Sequence, residues 1–201
     1  MHAKDTLRSE RDTGWITAVR AALMLILVCG GVYPLVLTVL GGMLFPHQAA
    51  GSLVVRNGTV VGSELVGQSF TAARYFHGRP SAANYDPLNA AASNWAVSHP
   101  DLRRRAEATA AEIANSNDVE AGQIPVDLIA ASGSGLDPHI SPASARLQIA
   151  RVAAARGRDV EAISRLVEAH VELPVLGVLG QPRVNVLALN LALDAAESAA
   201  P

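Results

Sequence analysis

Ser132, Ser134, Asp137 and His139 fall within one short stretch, Ser132-Gly133-Ser134-Gly135-Leu136-Asp137-Pro138-His139. Their types suit a nucleophile, an orienting carboxylate and a base. A hydrolytic centre is therefore the first chemistry to weigh. Catalytic triads, however, are assembled from separated chain segments, and the serine order here is one position off the Gly-x-Ser-x-Gly elbow. The competing reading is structural: the glycines supply positive φ, Asp137 makes a turn bond ahead of Pro138, and Ser141 caps a following helix. Gly133 and Gly135 also resemble a phosphate cradle, but no Lys-Ser or Lys-Thr follows, so this is not a P-loop. His47, His77, His99, His139 and His170 are scattered without metal-ligand spacing. Arg74, His77 and Arg79 form a small basic cluster beside Tyr75-Phe76, a mixture that protein interfaces favour. Catalytic, cofactor and metal residues are accordingly expected to be none. Tyr75, Phe76, His77, Arg79, Ser132, Ser134, Asp137 and His139 are the candidates for meeting a partner.

The elements that must position these residues begin with an apolar run. Between Arg20 and Arg56 there is no Lys, Arg, Asp or Glu, and Ala21–Phe45 is almost wholly apolar. Roughly 20 such residues suffice for a helix to cross about 30 Å of hydrocarbon. A signal peptide has a shorter apolar core, so length favours a retained anchor, although Gln48-Ala49-Ala50 could imitate a cleavage site. Cys29 is the single cysteine of the chain. Val28 before it is a poor match for lipoprotein processing, and no disulfide can form within the chain. Pro34 predicts a kink in the span. Gly30, Gly31, Pro34, Gly41 and Gly42 are the expected packing positions, because small residues let another helix approach closely. Lys4, Arg8, Arg11 and Arg20 precede the span, whereas Arg56 alone follows it closely, which predicts a cytoplasmic N-terminus. The domains expected are a cytoplasmic tail over 1–15, a transmembrane helix over 16–45 and a periplasmic domain over 46–201.

The remainder is long enough for one folded domain. The chain has 201 residues with a net charge of −2, so no basic surplus suggests nucleic acid. Val and Leu flank Asn57-Gly58, which predicts a hairpin with a type I′ turn. Residues 67–95 lack periodicity yet hold most of the aromatics, and read as ordered but irregular. Ser98 or His99 with Pro100 and Asp101 open a helix. Residues 126–131 read as β-like. Ser141-Pro142 start a second helix that Gly157 ends, and Asp159 starts a third. Residues 184–196 lean to helix, with Asn185 as its cap, although periodicity alone does not separate helix from strand there. The fold class is thus α+β: one N-terminal transmembrane helix, then a single mixed extracytoplasmic domain with a β-hairpin and three or four helices.

Several blocks resemble one family. These are Gly67-Gln68-Ser69-Phe70, Tyr75 through Ala82, Pro125-Val126-Asp127-Leu128, Ala131 through Pro142, and Pro182 through Leu187 with Leu189 through Asp194. Together they look like the C subunit of the bacterial Kdp potassium-transporting ATPase. The resemblance implies an inner-membrane complex of four subunits. A channel-like subunit selects K⁺, a P-type ATPase subunit hydrolyses ATP through an aspartyl phosphate, and a small single-span subunit lies against lipid. The C subunit it implies is an accessory chain with one span and a periplasmic domain, needed for assembly and activity. Stabilising the complex and gating K⁺ entry at the outer face are both implied roles. The family has also been linked to nucleotide binding, but Ala90-Ala91-Ala92-Ser93-Asn94 stands where a glycine pair is usual, and added methyl groups impede phosphate approach. No cofactor is therefore expected. The rival readings are a membrane-anchored periplasmic hydrolase using Ser132 or Ser134 with His139, and a stand-alone anchored binding module.

Overall fold

The computed structural model describes residues 2–198, with side chains described from Gly14 onward. The side chains of Lys4, Arg8 and Arg11, on which part of the orientation argument rests, lie outside the described residues. The chain divides into two compact units, Met1–Ser52 and Leu53–Pro201.

The first unit is helical. Helix α1 (His2–Leu27) passes through a π-helical turn (Val28–Val32) into α2 (Tyr33–Leu44), followed by a single turn, α3 (Pro46–Ala49). Gly14–Leu44 is 31 residues long and apolar enough to cross a membrane. At 1.5 Å per residue its length exceeds the roughly 30 Å of a bilayer's hydrocarbon layer. The π turn ends two residues before Pro34 and has a local cause. Pro34 has no N–H to donate and its ring crowds the carbonyl of the preceding turn. The backbone widens, and the Tyr33 N–H reaches back five residues to the Val28 carbonyl. Thr38 then returns its hydroxyl to the Pro34 carbonyl at 2.8 Å. Gly30 and Gly41, like Gly31 and Gly42, are separated by roughly three helical turns and share a face. A Cβ at Gly30, Gly41 or Gly42 would meet nothing within 4 Å inside the span itself.

The second unit, here the headpiece, begins with the hairpin β1 (Leu53–Arg56) and β2 (Thr59–Ser63), whose register shifts once between Val54 and Val55. Asn57 (φ 51°) and Gly58 (φ 77°) occupy the two left-handed positions of the turn. Helix α4 (Pro100–Asn117) is capped by the His99 ring, which accepts the Asp101 N–H, and it ends on Asp118 in the left-handed region. The remaining elements are α5 (Val126–Ile129), β3 (His139–Ile140), α6 (Pro142–Leu147), α7 (Ile149–Arg156), α8 (Val160–Ala169), β4 (Val171–Glu172), β5 (Arg183–Asn185) and α9 (Val186–Ser198). The short strands form an antiparallel sheet in the order β3-β5-β4. Ile140 pairs with Val184, which also pairs with Val171. Helix α8 packs against α6, α7 and α9. The core gathers Phe76, Leu128, Ile140, Ile149, Val152, Ile163, Val167, Val184, Leu189 and Leu193.

The α+β class with its long apolar N-terminal helix and its hairpin holds. One local expectation changes. Residues 126–131, read as β-like, contain the helical turn α5 instead. The Ile129 region follows Pro125, the N-cap residue, and Asp127 is drawn out of any ladder to hold Ser141, accepting its N–H at 2.8 Å and its hydroxyl at 3.0 Å. Over residues 184–196 the expected helix holds from Val186 onward, with only Val184 and Asn185 in β5. Asn185 ends β5 and caps α9 at once, its Oδ1 accepting the Ala188 N–H at 3.0 Å.

Candidate functional site

The irregular strip 67–95 is held by side chains rather than by a strand. Asn190, on α9, is buried and lies across Phe76: the Phe76 N–H donates to Asn190 Oδ1 at 2.8 Å, and Asn190 Nδ2 donates to the Phe76 carbonyl at 3.0 Å. Gln148, between α6 and α7 and likewise buried, does the same for His77, at 2.8 Å and 3.1 Å. Two carboxamides thus reproduce on consecutive residues the paired bonds a neighbouring strand would provide. Arg151 extends the arrangement. It donates to Gln148 Oε1 at 2.7 Å, to the carbonyls of Ala73 and Tyr75, and to Asn117 on α4. Tyr75 lies beneath Arg156, whose guanidinium is 5.0 Å from the ring centroid and pairs with Asp194 and Glu197.

The glycine-serine loop is fastened to this strip. Arg79 pairs with Asp137 at 2.8 Å. Ser81 donates to the Gly135 carbonyl at 2.6 Å, the Ser132 N–H to the Pro80 carbonyl at 2.9 Å, and the Gly67 N–H to the Leu136 carbonyl at 2.7 Å. Gly135 (φ 73°) is required twice over, since a Cβ there would lie 2.8 Å from Ala83 Cβ and 2.9 Å from the Ala91 carbonyl. At Gly67 it would lie 2.6 Å from the Asp137 carbonyl. The specificity of this stretch of sequence therefore has a packing cause.

Ser132 is 3% exposed, and its hydroxyl accepts the N–H groups of Gly135 and Asp137 while lying 3.2 Å from Ser134 Oγ. Ser134 accepts the Leu136 N–H. Asp137 accepts the His139 N–H at 3.0 Å, as an Asx turn would, and its carboxylate is 3.6 Å from the His139 ring. These are turn-forming bonds. They direct Ser132 inward and engage its hydroxyl with backbone N–H groups. Burial would raise the Asp137 pKa, yet hydrogen bonds from His139 and Arg79 and the Arg79 charge hold it at about 2. Burial and the nearby Arg151 charge push the His77 imidazole below its ordinary value, so it is neutral at pH 7. Burial and the Asp137 charge push the Tyr85 hydroxyl up, so it stays protonated and donates to the Arg79 carbonyl.

The candidates divide accordingly. Phe76 is wholly buried, so a partner would meet its neighbours rather than its ring. Arg74 is paired with Glu197, and Arg79 with Asp137, so the basic cluster is largely neutralised within the headpiece. His77, Arg79 and Tyr85 border a cleft of about 370 Å³ closed by Thr109, Glu112 and Arg151. Arg79, Asp137 and His139 border a second of about 580 Å³, with Asp127, Ser141 and Arg183. Among the described residues no three His, Cys, Asp or Glu side chains converge as a metal site. Sequence reasoning missed Gln148, Arg151 and Asn190. Their signal in the sequence is a polar residue set among the apolar residues of 147–153 and 186–193.

The chain is thus an apolar helix long enough to cross a membrane, followed by one α+β headpiece whose most distinctive loop is bound up in packing. Residues 15–195 match the family described as K⁺-transporting ATPase, c chain (KdpC). Three relatives each carry the name potassium-transporting ATPase KdpC subunit. That of Shewanella putrefaciens is 52% identical over 89% of this chain and 90% of its own length. That of Xanthomonas oryzae pv. oryzae is 53% identical over 92% and 90%, and that of Cereibacter sphaeroides 50% over 89% and 95%. The chain belongs to the KdpC family.

Proposed function

We propose that this chain is an accessory, non-catalytic subunit of a high-affinity, ATP-driven potassium uptake pump. It supports assembly and stability of the complex and shapes K⁺ entry at the outer face. The observation that carries this reading is about 50% identity to KdpC subunits along nearly the whole chain, span and headpiece alike. ATP hydrolysis then belongs to a P-type ATPase subunit, because this sequence contains no Asp-Lys-Thr-Gly phosphorylation motif. K⁺ selection belongs to a channel-like subunit, and a small single-span subunit completes the assembly in the bilayer of the inner membrane. The tail (1–15) is cytoplasmic, residues 16–45 cross the membrane, and residues 46–201 are periplasmic, in keeping with the basic residues that precede the span.

Two surfaces support docking. The Gly30/Gly41 and Gly31/Gly42 face has room for an added Cβ, so the span's own fold does not require glycine there; close approach of another helix does. In the headpiece, Tyr75, His77, Arg79, Ser134, Asp137 and His139 lie on or beside the two fastened loops.

The test is co-expression of the tagged chain with the other subunits. Wild-type chain should recover them from mild detergent, and omitting it should abolish K⁺-stimulated ATP hydrolysis. The double change Ser134→Ala and His139→Ala should leave no hydrolytic activity of the chain to lose. Turnover of an ester or peptide by the isolated chain, lost on that double change, would refute the proposal.

A further inference from the structure

Three consecutive arginines on α4 meet different surroundings. Arg103 and Arg104 are exposed, and Arg104 pairs with Asp101. Arg105 is half-buried, its guanidinium carbon 5.0 Å from the centroid of the Trp95 ring. Trp95 is in turn stacked on His99, with ring centroids 5.3 Å apart. Such a stack orients a guanidinium, but a ring face gives its in-plane N–H groups no acceptor. Among the described residues Arg105 makes no hydrogen bond and no ion pair, and its Nε is buried without a partner. Buried donors are nearly always paired, so an orphan of this kind marks a missing acceptor.

The same side chain lines a pocket of about 330 Å³ where α4, α5 and the glycine-serine loop meet. Leu102, Ala106, Val126 and Ile129 supply apolar walls. Arg105 is the one charged residue lining it, so no carboxylate balances the guanidinium there. On the loop side, the Ser132 hydroxyl is already engaged by the Gly135 and Asp137 N–H groups. Gly133 leaves space, since a Cβ there would meet nothing within 4 Å. An apolar cavity with one unbalanced cation in its wall suits an anion that carries hydrocarbon bulk.

We propose that this pocket binds a small apolar carboxylate. Its carboxylate accepts from Arg105 Nε, and its hydrocarbon part lies against Leu102, Ala106, Val126 and Ile129. The planar fork of Nε and the adjacent Nη matches the two oxygens of a carboxylate. A free phosphate fits less well, because it brings more charge than one cation balances and no apolar surface for the walls. The site does not depend on the subunit reading given above.

The test uses the full chain in mild detergent, with Trp15→Phe so that Trp95 is its only tryptophan. Hexanoate is the probe. It should change the Trp95 emission along a saturating curve and raise the thermal midpoint of the chain, as a ligand of the folded state does. Arg105→Gln should weaken hexanoate by about tenfold or more, read from the rise in midpoint, since a hydrogen bond to a charged group is worth at least about that factor. Gly133→Val fills the pocket without touching Arg105; it should leave the unliganded midpoint in place and weaken hexanoate similarly. Acetate, which lacks the hydrocarbon, and hexanol, which lacks the charge, should each bind about tenfold more weakly or worse. Equal hexanoate affinity in Arg105→Gln and its parent would overturn the inference, and so would hexanol binding as tightly as hexanoate. Inorganic phosphate binding as tightly as hexanoate would overturn it in favour of a phosphate site. Hexanoate binding that disappears when the other potassium-transporting ATPase subunits are added would overturn the free ligand in favour of an acidic side chain of a partner.

Discussion

Replacing Asn190 by Leu keeps the side chain's approximate volume and removes both of its bonds to Phe76. The Phe76 N–H and carbonyl are buried, so neither finds water instead. Each buried backbone group left unpaired costs about 1–3 kcal/mol, so the net loss is about 2–5 kcal/mol once the gain from Leu's apolar character is taken off. That is a large part of the 5–15 kcal/mol that holds a typical domain together. For a headpiece of roughly 150 residues it corresponds to a fall in Tm of about 5–15 °C. Gln148→Leu should act similarly at His77. Because the two amides hold adjacent residues, loosening one lets its neighbour relax, and the double variant should fall short of the sum by about 1 kcal/mol or more. Urea unfolding of the full chain in detergent, followed by far-UV circular dichroism, measures all three. A change under about 1 kcal/mol for Asn190→Leu, or strict additivity, would refute the claim that carboxamides replace a strand here.

The remaining predictions concern the fastened loops and the span. Gly135→Ala should destabilise the headpiece by about 2 kcal/mol or more, since it meets both a left-handed backbone and close neighbours at Ala83 and Ala91; thermal unfolding reads this directly. Asp137, lowered from 3.8 to about 2, contributes stability that is complete above about pH 4 and is lost as pH falls toward 2; with the carboxylate partly exposed, screening reduces this to about 1 kcal/mol, and Asp137→Asn should flatten that part of the pH–stability curve. Arg156→Met should weaken the headpiece by about 1–3 kcal/mol, because the buried guanidinium serves Asp194, Glu197 and the Tyr75 ring together, and a urea titration would register the loss. Gly41→Leu should leave the helicity of the isolated chain unchanged in detergent while lowering recovery of co-expressed subunits several-fold.

What was legible in the sequence was local. Asn57-Gly58 forces its turn whatever surrounds it, Ser141 and Asn185 cap the helices that follow them, and Gly157 ends α7 in the left-handed region. The apolar run announces a membrane-competent helix by length alone. What escaped was long-range. Gln148 and Asn190 find their partners 71 and 114 positions away, a relation that no periodicity encodes. Strands of two or three residues, such as β3, β4 and β5, are too short to show alternation. Residues 126–129 look extended by composition, but Asp127 is committed to Ser141 and the backbone coils to allow it. At the glycine-serine loop the residue types suggested hydrolysis, whereas the bonds they make stiffen a junction between two coils.

The paired carboxamides have a mechanical corollary. Phe76 and His77 are riveted to separate helical segments, Phe76 to α9 and His77 to the α6–α7 junction, so the strip cannot be peeled from one without straining its grip on the other. A tug or push delivered to the Tyr75–Tyr85 coil is therefore shared by both C-terminal segments at once, and an irregular stretch of backbone transmits load as a strut would.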